Sequence, residues 1–140
     1  MNQHILVLYQ SLIDQETGQR GYSLSKNSAF LEPFYEGSST FQQTSEKLKQ
    51  DIIIFPQVSK SVNNLIVSGE VWNSEYGQEQ INMGKSNHRI PNEILEKSKA
   101  AFDSIRHHYK EVTNEINQLK SKLEERSQNR VMMMLIIFCF

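Results

Sequence analysis

Leu95, Phe102, Tyr109, Ile116 and Leu123 recur at every seventh position, and Ser98, Ile105, Val112, Leu119 and Arg126 form a second seven-spaced row. Alternating steps of three and four over this length place both rows on one face of a single long helix. Pro91 and Asn92 suit its first turn and cap, and Glu93 follows where the helix dipole favours an acid. Running unbroken to Arg130, such a helix is about 57 Å long. A helix with one narrow apolar stripe is stable only against other helices, so the rest of the chain has to supply them.

Three further helical segments are legible. Val58, Val62, Leu65, Gly69, Trp72, Tyr76 and Met83 continue by threes and fours after Pro56, with Glu79 in one slot. Gly69 admits a close neighbour beside Trp72, and Gly84 to Asn87 reads as a helix end followed by the loop GKSNHRIP. Ile5, Leu8, Leu12 and Ile13 mark a first helix; Phe41, Leu48, Ile52 and Phe55 mark a second that ends at Pro56. Residues 21–37, GYSLSKNSAFLEPFYEG, are too apolar for a solvated loop and read as a short helical turn packed over the bundle end. Four helices with short connections form an all-α, up-down-up-down four-helix bundle.

With 15 basic and 16 acidic residues, the chain has no field that would gather nucleic acid or anionic lipid. Neither half is a basic arm: residues 1–70 carry five basic and seven acidic groups, the remainder ten and nine. The single cysteine, Cys139, excludes an internal disulfide framework and any multi-thiolate site, but leaves the redox compartment open.

Directly after LEERSQNR the chain turns to VMMMLIIFCF, ten apolar residues from Val131 to Phe140. Ten helical residues cover about 15 Å, half of a bilayer core. Residues 131–140 therefore read as the start of a truncated transmembrane helix below a sensor bundle of residues 1–130, with a buried terminal helix or an appended segment as the alternatives. HILVLY near the N-terminus is too short for a span or a signal peptide. With the fourth helix descending into a membrane, both chain ends lie at the membrane, and residues 14–35 and 84–92 lie together at the far end.

That far end carries DQETGQRGY, residues 14–22. Glu16 and Arg20 stand four apart with the acid first, the favourable order for a helical pair. Gly18 and Gly21 thin the helix wall, and Thr17 and Gln19 suggest a polar layer. TGQRG lacks the Lys-Ser/Thr pair of a phosphate loop and follows no strand.

Through Asp14, Glu16, Thr17, Gly18, Gln19, Arg20, Gly21 and Tyr22, then Leu24, Phe30, Leu31, Glu32 and Pro33, and later Asp51 with Pro56 and Gln57, the sequence resembles the third CHASE family, the cyclase/histidine kinase associated sensing extracellular domains of bacterial receptors. The resemblance implies an extracytoplasmic four-helix sensor between two membrane spans, non-catalytic in itself, with a histidine kinase, cyclase-type or chemoreceptor output. Ser25 and Phe34 depart from the residues frequent there, and the first span is missing.

The motif residues, including Leu31, Glu32 and Pro33, read first as structural. A second reading is a ligand site at the membrane-distal end formed by Glu16, Arg20, Asn87, His88 and Arg89. Asp103, His107, Glu111 and Glu115 have the spacing of metal ligands but fall on the outer face of the long helix, and are read as a solvated charged face. No metal or cofactor is expected, and His4, His88 and His108 belong to no catalytic grouping. Trp72 and Tyr76 read as core. The expected protein is a homodimeric, membrane-embedded receptor sensor responding to an unknown small molecule or protein. The alternative is a soluble helical scaffold with an apolar C-terminal anchor.

Overall fold

The computed structural model describes residues 1–138; Cys139 and Phe140 lie outside the described residues. Five α-helical segments make four bundle helices: α1 (Asn2–Ser25), α2 (Leu31–Ile54), α3 (Ser59–Val71) joined through a π-helical turn (Trp72–Gly77) to α4 (Gln78–Lys85), and α5 (Asn92–Phe138). Among the described residues there is no strand.

Side-chain pairs fix the topology. His4 meets Asp51 at 2.6 Å, and Gly18 lies against Phe34, so α1 and α2 are antiparallel. Gln15 with Asn73 and Gln19 with Gln80 set α1 parallel to the third bundle helix. Ser61 with Glu115 and Trp72 with Ser98 set that helix antiparallel to α5. The order is up-down-up-down, as four helices with short connections predict.

The core runs along these seams through Ile5, Leu8 and Leu12 of α1, Phe41 and Leu48 of α2, Val62 and Leu65 of α3, and Phe102, Ile105 and Val112 of α5. Glycines let helix backbones approach at two levels. A Cβ on Gly18 would stand 2.7 Å from the Phe30 carbonyl oxygen, and one on Gly37 would stand 2.6 Å from that of Ser11.

The connection between α1 and α2 is shorter than the sequence suggests. It consists of residues 26–30, with a 3₁₀ turn at Ser28–Phe30 that Asn27 caps through the Ala29 N–H. Leu31, Phe34 and Gly37, expected in that turn, already belong to the buried stripe of α2. Pro33 falls in the first turn of α2, where a backbone N–H has no partner inside the helix anyway.

In the third bundle helix the expected stripe holds from Val58 to Trp72 and then slips by one residue. Gly77, Gln80 and Gly84 are buried, whereas Glu79 is exposed and Tyr76 and Met83 are half-buried. The π-turn absorbs one extra residue, so every position beyond it rotates relative to a regular α pattern. Glu79 is therefore not a slot in the seam; Gln80 is.

Of the two heptad rows of α5, Ser98, Phe102, Ile105, Val112 and Ile116 are buried and Tyr109 between them is half-buried. Leu119 is half-buried, and Leu95, Leu123 and Arg126 are exposed. Towards the C-terminus the cause is length: α5 has 47 residues against 24 in α1 and α2, so that all of its residues 120–138 are exposed, with Leu123 and Ser127 still beside Met1 and Phe55 and the stretch after them projecting beyond the other helices. Among the described residues, no helix is long and apolar enough to cross a membrane.

Candidate functional site

The end of the bundle opposite the projecting α5 carries the motif. Gln19 is buried, and its amide donates to Ser23 Oγ at 2.8 Å and to Gln80 Oε1 at 3.1 Å. Gln80 Nε2 donates to Ser98 Oγ at 2.9 Å, and Trp72 Nε1 donates to the same oxygen at 3.2 Å. Trp72 stands edge-on to Phe102, with ring centroids 5.1 Å apart. Here the apolar seam gives way to a hydrogen-bonded chain through α1, α4, α5 and the π-turn. Such a layer is tolerated away from water because each of these side chains is tied to another by at least one hydrogen bond.

Over this layer opens a cleft of about 310 Å³ between α1, α4 and α5. Gln19, Gln80 and Ser98 line it from below, Leu95 forms an apolar wall, and Glu16, Arg20, Lys99 and Arg106 stand around it. Glu16, mostly buried, lies 3.7 Å from Arg20 and 3.4 Å from Arg106. Arg106 also covers the Phe102 ring at 4.7 Å and donates to Asp103 at 2.6 Å. Lys99 donates to the other oxygen of Asp103 at 2.6 Å. The hydrogen bond from Lys99, and then that from Arg106, hold the Asp103 carboxyl below its usual pKa.

The structure thus brings together Glu16 and Arg20 of the predicted ligand set, and does not place Asn87, His88 or Arg89 along this cleft. Asn87 has φ 58° and closes the C-terminus of α4: its N–H bonds the Gly84 carbonyl, and the next N–H, of His88, reaches Met83. That is the Schellman arrangement, for which Asn is a tolerated substitute for Gly. The cleft residues that sequence reasoning missed are Gln80, Lys99 and Arg106. Gln80 was hidden by the one-residue slip at the π-turn, and the other two flank heptad positions Ser98 and Ile105.

The remaining motif residues have structural surroundings. Tyr22 is buried with its ring against Gly84, the Phe30 ring covers Gly21, and Asp14 accepts from Gln10 at 3.0 Å. Leu31 is buried, whereas Thr17, Glu32 and Pro33 are exposed. On α5, Glu111 lies 3.3 Å from His107 and 3.2 Å from His108, while Glu115 turns to α3 and accepts from Ser61 at 2.5 Å. Of the four spaced residues, His107 and Glu111 face each other, while Asp103 pairs with Lys99 and Arg106 and Glu115 with Ser61.

A family model described as the CHASE3 domain matches residues 1–128. The chain belongs to the CHASE3 family. No curated protein and no solved structure matches it. CHASE3 domains are sensory, extracellular domains of membrane receptors and are not catalytic. The match covers the four bundle helices and ends within the projecting part of α5, before the apolar run. In this CHASE3 domain Gln19 of the motif joins the polar layer, and Glu16 and Arg20 stand at the cleft above it.

Proposed function

We propose that this CHASE3 domain is the extracytoplasmic input of a bacterial transmembrane receptor. It works as a homodimer and passes its signal as a displacement of α1 against α5, towards a histidine kinase, cyclase-type or chemoreceptor output. The observation that carries the reading is the continuity of α5. One helix lines the cleft at Leu95 and Ser98, packs in the core to Ile116 and continues without a break into the apolar residues 131–138. A rigid rod of this kind transmits a shift at one end to the other, about 70 Å away for 47 residues.

Contacts between α1 and α5 support the same reading. The Tyr9 and Tyr109 rings stack with centroids 3.9 Å apart, and Glu16 reaches Arg106 further up. These are flat and ionic contacts, which tolerate sliding better than interdigitated side chains. A stimulus needs only to prefer one of two placements of the pair.

The test is topological. In cells expressing the natural full-length gene, cysteines placed at exposed Lys47 or Lys60 react with a membrane-impermeant thiol reagent, and about ten further apolar residues followed by basic ones continue the chain after Phe140. Inaccessible cysteines in intact cells, or a stop codon after Phe140, favour the soluble scaffold instead.

A further inference from the structure

We propose that the cleft between α1, α4 and α5 binds a small molecule carrying a carboxylate on a short aliphatic chain; its signalling consequence rests on the sensor reading above. The cleft volume of about 310 Å³ stands at the small end of the range for small-molecule sites. Its floor is polar and deeply buried: Gln19, Gln80 and Ser98 retain 2%, 2% and 8% of their exposure.

Hydrogen-bond accounting shows what this floor leaves open. Ser98 Oγ accepts from both Trp72 and Gln80, so its acceptor capacity is filled and its hydroxyl hydrogen is left over. Gln80 Nε2 commits one hydrogen to Ser98 and has a second. Among the described residues, neither of these hydrogens meets a protein acceptor. Two donors on one buried floor suit an oxygen-bearing anion.

The rim supplies the countercharge. Arg20, Lys99 and Arg106 oppose Glu16 and the neighbouring Asp103, leaving an excess of one positive charge. Arg20 is 70% exposed and holds Glu16 only at 3.7 Å, so its guanidinium is able to turn over the opening onto a carboxylate, a bidentate partner it matches. Leu95 offers methylene groups an apolar wall. A cation would meet a rim of net positive charge. A molecule spanning Arg20 of α1, Gln80 of α4 and Ser98 of α5 ties together the helices whose relative placement carries the signal.

The test titrates the full chain in detergent with succinate and with uncharged succinamide, by calorimetry. Expected are saturable succinate binding with Kd below about 1 mM and none with succinamide. The double variant Arg20→Gln, Lys99→Gln changes two exposed side chains, so its fold is expected to persist, and it should weaken succinate at least about tenfold. Ser98→Ala should weaken it as well. Absent saturable succinate binding, equal binding of succinamide, or affinity unchanged in the double variant overturns the proposal. Its failure is separable from that of the sensor reading: if succinate does not bind but α1–α5 cross-links still lock receptor output, the site falls and the sensor stands.

Discussion

Gln19 Nε2 and Gln80 Oε1 meet at 3.1 Å, 61 residues apart in sequence and both buried, in the layer where the bundle exchanges apolar for polar packing. Replacing one partner strands the other away from water. Gln19→Leu is expected to lower stability by about 1–3 kcal/mol, while the double variant Gln19→Leu, Gln80→Leu recovers part of that loss. Urea denaturation followed by circular dichroism of the four proteins of the cycle checks both effects.

The atoms nearest to Gly18 and Gly37 are main-chain carbonyl oxygens. Alanine at either position places its Cβ within 2.7 Å and 2.6 Å of a carbonyl oxygen, respectively, so α1 and α2 must move apart. A loss of about 1–3 kcal/mol is expected for each, against a small gain for Gly→Ala at an unobstructed helical site. Thermal melts of the two single variants measure it.

The π-turn holds one residue more than a regular helix needs. Deleting exposed Ser74 is therefore expected to restore α geometry while keeping Gly77, Gln80 and Gly84 in the seam. The melting temperature should fall little, whereas deleting Asn64 within α3 turns the stripe beyond it out of the core and should unfold the domain. Comparing the two melts tests the register directly.

Asp103 is an exposed acid whose pKa is lowered by Lys99 and Arg106. A depressed carboxyl stabilises the fold above its unfolded pKa, and that contribution is lost as pH falls through the folded value. Between neutral pH and about pH 3 the wild type should lose slightly more melting temperature than Asp103→Asn, the difference being small because the pair is solvated. Melts across that range at low salt provide the comparison.

The bundle was legible because its helices bury stripes with a regular period. Phe102, Ile105, Val112 and Ile116 of α5 occupy the core positions that spacing gives them. Leu95 and Leu123 do not, since periodicity reports which face of a helix is apolar and not where its partners end. The start of α2 was concealed for a related reason: Pro33 resembles a loop residue until its missing N–H is set against the free first turn. Glu16 and Arg20 were visible as a spaced pair. Gln80 was not, because a single-residue π insertion leaves no residue type as its mark and only shifts the phase of the helix beyond it.

Movement of α1 against α5, the proposed signal, is tested most directly by disulfide cross-linking in the natural full-length protein with Cys139 replaced by Ser. Cysteine pairs are placed in successive registers along the contact between Tyr9–Tyr109 and Glu16–Arg106. Output that becomes fixed, high in some registers and low in others, and is released by reductant is the expected result; output that still responds to stimulus in every fully cross-linked register contradicts this mechanism.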